Sequence, residues 1–288
     1  MQISNMAKHR ASVTALIALF FTLPHAVMAS TDTVPGWQML NFEAKSMWAT
    51  ARTKLTVVTH DSDKFGKVWE LQLLGNVSSS SERENVLMTP GSGALLERDR
   101  FTKGKDQRLK HYEYKEQAIV RVRREPGEGS AAELPPWNWP ISNEKELTRP
   151  SQKDCPVLTA IPSLLIFASM VPEAPGQTST ICVHSDQNFY RVSMAVKGDE
   201  KLAVNYKLGK AEKKVKAKIA ATVIALTIER VGTIDGESDF NILGLSSPVS
   251  ILLDKETGLP LQVRGQAPRL GKTEINLIAA NQDLEPPN

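Results

Sequence analysis

Apolar and polar residues alternate with a period of two along most of this chain, and that pattern constrains its fold more than any other feature. Leu55 and Val57 alternate with Lys54 and Thr56, Trp69, Leu71 and Leu73 with Glu70 and Gln72, and Val120 and Val122 with Arg121 and Arg123. The clearest run sets Leu202, Val204, Tyr206 and Leu208 against Ala203, Asn205 and Lys207. Thr273, Ile275 and Leu277 against Lys272, Glu274 and Asn276 close the series. Successive side chains of a strand point to opposite faces, so each run predicts a strand with one buried and one wet face. Strands buried on both faces, as in parallel sheets, read instead as continuous apolar runs. The expected class is mainly β, built from antiparallel sheet.

Turn chemistry falls between these runs. Lys64-Phe65-Gly66-Lys67, Pro90-Gly91-Ser92-Gly93, Lys197-Gly198-Asp199 and Asp235-Gly236 are hairpin or loop candidates. Ile251-Leu252-Leu253, a polar stretch from Asp254 to Gly258, and Leu259 to Arg264 read as strand, tight turn, strand. Pro260 cannot donate to a ladder and is expected at the start or edge of the second strand. A connector, residues 125–156, holds Pro126, Pro135, Pro136, Pro140, Pro150 and Pro156, and predicts extended, polyproline-like backbone. After it, Ser163 to Val171 reads as a short apolar helix, with Pro162 suited to its first turn. The organisation expected is a β-rich half at 30–124, the connector, and a helix plus β-rich half at 157–288, the halves forming one domain.

The N-terminus carries the signature of export. Lys8, His9 and Arg10 precede an apolar run from Ala11 to Leu23, Pro24 breaks it, and Val27-Met28-Ala29 places small residues before a cleavage point at Ala29–Ser30. The run is shorter than the roughly 20 residues a spanning helix needs, and no later stretch approaches that length. No Cys follows the cleavage point, which argues against lipid attachment there. Removing residues 1–29 takes away Lys8 and Arg10 and no acidic residue, so the net charge falls from +3 to +1. A near-neutral chain has no electrostatic footprint for nucleic acid. Lys213, Lys214, Lys216 and Lys218 crowd one segment but alternate with Val215, Ala217 and Ile219, the pattern of a strand's wet face; an anionic-lipid or glycan patch is the other reading. In an exported protein the two cysteines, Cys155 and Cys182, most simply form one disulfide, and they lack the C-x-x-C spacing of a redox pair.

The order of elements also resembles a family. An apolar strand pair is followed by Leu87-Met88-Thr89-Pro90-Gly91-Ser92-Gly93, a charged strand with Arg98, Arg100 and Phe101, and then Arg108 to Tyr114. The C-terminal half adds the Ile251 to Arg264 turn with Gly258-Leu259-Pro260 and a final alternating strand. Over residues 38–282 this order resembles an exported bacterial envelope family of unknown function, similar in outline to periplasmic lipoprotein carriers. The resemblance implies a strongly curved antiparallel sheet, or partial barrel; the carriers it is similar to in outline hold acyl chains in the concave face of the sheet. It supplies no catalytic residue. The Pro-rich connector and the cysteine pair depart from the family pattern.

Candidate chemistry is sparse. His60, His111 and His184 lie on separate segments without ligand spacing, so no metal site is expected, and no cofactor motif or G-x-S-x-G elbow occurs. Asp235-Gly236-Glu237-Ser238-Asp239 matches a calcium loop only in composition. Trp137 and Trp139, between Pro136 and Pro140, either pin the connector to the sheet or dock onto a partner. Trp69, Leu71, Leu73, Val204, Tyr206 and Leu208 either fill a core or line a cavity, with Leu164 and Phe167 on a helical lid. The leading expectation is a soluble, non-catalytic periplasmic protein that binds or carries a hydrophobic or amphiphilic envelope component. The alternatives are an accessory docking subunit of an envelope machine and a hydrolase of envelope glycans or lipids.

Overall fold

A computed structural model of the chain describes residues 36–46, 50–77, 79–129, 133–171, 176–232 and 237–282. The export segment with Ala29 and Ser30, and the Asp235-Gly236 turn, lie outside the described residues. Fifteen strands form one sheet. In chain order β1 (Met39–Lys45), β2 (Thr50–Ser62), β3 (Gly66–Val77), β4 (Ser80–Met88), β5 (Leu95–Lys103), β6 (Arg108–Tyr114) and β7 (Ala118–Arg124) make an antiparallel meander. Next come β8 (Ile141–Thr148), β9 (Leu158–Ala160), helix α1 (Leu164–Ala168), β10 (Thr178–His184), β11 (Phe189–Leu208), β12 (Lys213–Val231), β13 (Ser246–Asp254), β14 (Pro260–Ala267) and β15 (Gly271–Asn281).

The spatial order is β8 down to β1, then β15 down to β9, so β1 pairs with β15 and the two halves share one sheet. A short parallel bridge from Lys207 and Leu208 to Ala279 and Ala280 ties the tip of β11 back to β15. Strands β11 to β15 therefore close into a ring of hydrogen-bonded neighbours, with the remaining strands continuing from it on either side. The expected mainly β class and curved antiparallel sheet are observed, with the parallel β9–β10 pair at one end.

Several local expectations change. The helix has five residues rather than nine, because the apolar run first serves as β9 and then as a 3₁₀ turn, Ile161–Ser163, with Pro162 in it. All five α1 residues are buried and belong to the hydrophobic core. Residues 125–156 are not wholly extended linker: they contain a 3₁₀ turn, Pro136–Asn138, and the edge strand β8 paired to β7. Lys197-Gly198-Asp199 is no turn; the register of β11 on β12 shifts between Val196 and Gly198, a bulge that glycine at φ 134° accommodates. Pro260 opens β14 as expected. Gly93, at φ 66° in the β4–β5 turn, faces the Phe167 ring so closely that an added Cβ would lie 2.2 Å from it.

Cys155 and Cys182 form the disulfide, with Cα atoms 5.5 Å apart across a separation of 27 residues, joining the end of the connector to β10.

Candidate functional site

The inner face of β2 to β5 changes character along its strands. Register places Leu55, Leu73 and Glu84 in one row, Thr53, Gly75 and Glu82 in the next, and Ala51, Val77 and Ser80 in a third. Toward one end the face is apolar, through Leu55, Leu71, Val86 and Met88, all buried. Toward the other it is charged, and there a cleft of about 380 Å³ opens. Its floor carries Glu82, Glu84, Arg98 and Arg100, and its walls include Leu73, Val77, Ile161 and Leu243.

Each charge on this floor has a partner diagonal to it across the β4–β5 ladder. Arg98 Nε donates to Glu84 Oε1 at 2.8 Å, with both side chains almost fully buried. Its Nη1 reaches the carbonyls of His184, at 3.2 Å, and of Ser185. Arg100 holds Glu82 bidentately, at 2.5 and 3.0 Å, nearer the opening. The pairing follows from sequence spacing: Glu82 and Glu84 share one strand face, and Arg98 and Arg100 share the facing one.

A second buried network anchors the loop after β10. Asp186 receives hydrogen bonds from Lys110 and Tyr112, with Arg121 Nη1 at 3.5 Å. Burial opposes its charge, yet those donors and cations hold the carboxyl well below the usual aspartate range. Asp239 accepts from Ser185 Oγ at 2.6 Å, Tyr190 Oη at 2.7 Å, Asn188 Nδ2 at 2.8 Å and the Gln187 amide at 3.1 Å. Burial raises its pKa, but these hydrogen bonds together lower it by more, leaving it below its ordinary value. His184 stacks on Phe189 at 5.0 Å, and its Nδ1 shares a 2.8 Å hydrogen bond with Tyr114 Oη. Burial, helped by the Arg98 guanidinium, pushes its pKa down to about 3 and keeps the ring neutral.

A two-residue turn borders the mouth. Ile242 and Leu245 exchange backbone hydrogen bonds at 2.9 Å, with Leu243 at φ 53° and Gly244 at φ 91° between them. Positive φ at both central positions is normally met by Asn-Gly. A leucine there is strained, and its side chain lines the cleft.

Of the expected cavity residues, only Leu73 lines this cleft. Trp69, Leu71, Leu164 and Phe167 are packed in the core, Tyr206 is buried with them, and Val204 and Leu208 are half-buried against the same core. Trp139 is buried, donating from Nε1 to the Leu134 carbonyl at 2.8 Å and lying 6.0 Å from the Phe101 ring, so it pins the connector. Trp137 sits edge-on to His111 and stays 48% exposed, and Leu134 and Ile141 are exposed as well. Sequence spacing missed Asp186, Asp239 and Leu243, which the chain brings to the cleft from far away.

One set could in principle ligate a cation. Cross-strand register gathers Glu97, Asp99 and His111 with ligand atoms within 4.8 Å of one another. His111 Nδ1 lies 2.7 Å from Asp99, and Lys64 Nζ lies 3.3 Å from Glu97 and 3.6 Å from Glu113. The cluster thus supplies its own cations. The Asp99 hydrogen bond outweighs partial burial and raises the His111 pKa. His60, by contrast, is exposed, with Nε2 3.1 Å from Glu70.

Among the described residues no helix is long and apolar enough to cross a membrane. No family model matches the chain, and no curated protein matches it. Among solved structures it is similar to a β-barrel-like protein of a domain of unknown function, DUF1849, from Brucella abortus, with 9% identity, a TM-score of 0.41, and coverage of 85% of this chain and 95% of that one.

Proposed function

We propose that this chain is an exported, periplasmic, non-catalytic protein that holds an amphiphilic component of the cell envelope in the cleft of the β2–β5 face. The observation that carries the reading is the gradient along that face, from a filled apolar core to an open, charged end. An amphiphile matches such a surface, its apolar part on Leu73, Val77, Ile161 and Leu243 and its polar part over the Glu82–Arg100 and Glu84–Arg98 pairs. The volume, about 380 Å³, suits a headgroup with a short apolar segment, at the small end of ligand sites. Because the cations are already paired with carboxylates, a neutral or zwitterionic head fits better than one of strong net charge.

Four carboxylates line this cleft, which bears on the hydrolase reading. A general acid there would need a carboxyl with a raised pKa. Asp186 and Asp239 are shifted the other way and are saturated with donors. The docking-subunit reading draws on the exposed Leu134, Trp137 and Ile141, with Trp139 serving the chain's own packing. Replacing Trp137 by Ala should then remove a pull-down partner while leaving the thermal melt unchanged.

The binding reading is tested by organic extraction of protein purified gently from the exporting cell, followed by mass analysis of the extract. A stoichiometric amphiphile supports it. Bare polypeptide, reproducibly, removes it.

A further inference from the structure

The β11–β12 hairpin outruns its neighbours. Strand β12 pairs with β13 only over Ala221 to Leu226, whereas it pairs with β11 as far as Lys213. Residues 201–208 and 213–220 therefore form a hairpin arm in which β12 has no β13 partner before Ala221, while the tip of β11 is tied to β15 at Lys207 and Leu208. Alternation assigns its faces. Leu202 and Tyr206 are buried, and Val204, Leu208, Val215 and Ile219 pack against the core. The opposite face presents Lys201, Lys207, Lys214, Lys216 and Lys218, all exposed.

This face is unbalanced in charge. From 201 to 220 the chain holds seven lysines, with Lys210 and Lys213 added to those five, and Glu212 as the sole acid. Glu212 takes up Lys207 at 2.6 Å, and Asp199 at the root of the arm takes up Lys255. Lys201, Lys214, Lys216 and Lys218 have no ion-pair partner among the described residues. Register sets Lys207 directly opposite Lys214. Like charges in that position repel and weaken a sheet. A chain whose whole net charge is only +3 has nonetheless concentrated them here.

The geometry points to the arm as an electrostatic docking face for an anionic lipid bilayer. Side chains two residues apart on a strand stand about 6.8 Å apart, so the lysines make a regular array of charges. Every cation in the array is lysine. A compact ammonium on a flexible stem suits a plane of laterally mobile phosphates, whereas a fixed carboxylate or phosphate pocket favours the arginine fork. The face is the outer side of the hairpin, and none of its lysines lines the cleft of the β2–β5 face. Attraction of this kind acts within a Debye length of the surface, about 10 Å at 0.1 M salt and about 3 Å at 1 M.

The test is co-sedimentation of the exported protein with vesicles of phosphatidylcholine alone or mixed with phosphatidylglycerol. Binding is expected to the mixed vesicles only, and to disappear in 1 M salt, where screening is close to complete. The triple variant K214Q/K216Q/K218Q should lower partitioning on the order of 100-fold, each lysine near an anionic surface contributing severalfold. Removing three charges elsewhere, in K105Q/K145Q/K153Q, should leave most of the binding. All six positions are exposed, and single substitutions such as K216Q, with a smaller loss, guard against a folding defect in the triple variant. Absence of binding to the mixed vesicles at low salt overturns the proposal. Equal losses in the two triple variants do so as well, since net charge and not the arm would then be responsible.

Discussion

The two halves of one continuous sheet bury different chemistry. Strands β11 to β15 bury Val192, Met194, Ile224, Ile251, Val263, Ile275 and Leu277, aliphatic side chains whose attraction is non-directional and scales with area. Strands β4 to β7 instead turn Glu84, Arg98, Lys110 and Arg121 inward, together with Tyr112. Ionic groups in that position are a weak source of stability, because losing their hydration offsets most of their mutual attraction. Their geometry is directional, however, and it keeps a face polar and open where aliphatic side chains would have closed it. The ring of β11 to β15 thus supplies the stable frame, and the charged half supplies the site.

That contrast can be broken most directly at Arg98. Replacing it with Met leaves Glu84 buried without a cation and should destabilise the protein by about 3–5 kcal/mol in urea unfolding. The double variant Glu84→Leu/Arg98→Met should return close to wild-type stability while losing ligand. A double variant as unstable as the single one would mean that the pair itself holds the fold. Reducing the Cys155–Cys182 bridge should cost about 3.5 kcal/mol by the chain-entropy argument for a loop of 27 residues. Thiol titration of denatured, unreduced protein checks the bridge first, with no free thiol expected.

Acid should act on the charged half. The folded pKa of His184 lies near 3 against an ordinary 6.5, so below 6.5 the unfolded chain takes up a proton that the folded chain refuses. Stability should fall by about 1.4 kcal/mol per pH unit as pH drops from 6.5 toward 3, and His184→Phe should flatten that slope. The lowered carboxyls of Asp186 and Asp239 act in the same direction, their contribution being lost as pH falls through their folded pKa values. A smaller effect is expected at the mouth. Leu243→Asn relieves the left-handed strain while giving up packing, so stability should stay within about 1 kcal/mol of wild type while ligand retention drops. The smallest effect belongs to His111. Its pKa is raised, so its contribution is present below 6.5 and lost as pH rises through the folded value. His111→Gln should remove that mild alkaline slope, read from melts above pH 6.5.

The sequence carried the strands but not always their facing. Alternation located β2, β3, β11 and β15, and Gly258-Leu259-Pro260 located the start of β14. In β7 the alternation is real but inverted: Ile119 and Arg121 point inward, and Val120 and Val122 stay half-exposed. Hydropathy assigns the inner face by assuming that charge belongs outside, and it fails where the interior is ionic. The helix is shorter than its apolar run predicts for a related reason, since an apolar run buried on all sides reads alike as strand or helix. The cleft was largely illegible. Arg98, Asp186 and Asp239 lie far apart in the chain and meet only through tertiary folding. The legible trace was the matched spacing of Glu82 and Glu84 with Arg98 and Arg100, which becomes informative once β4 and β5 are known to pair.

The central claim, that the open end of the charged face holds an amphiphile, is tested most directly by native mass spectrometry of the wild-type protein beside Gly75→Leu. Gly75 faces the cleft, and a Cβ placed there meets its nearest atoms at 3.9 Å, so leucine can enter the space a ligand would use. The expected result is a reproducible mass excess on the wild-type protein that denaturation removes and that Gly75→Leu lacks, with matching melting temperatures. A clean polypeptide mass for the wild type, or an equal excess on both proteins, would contradict it.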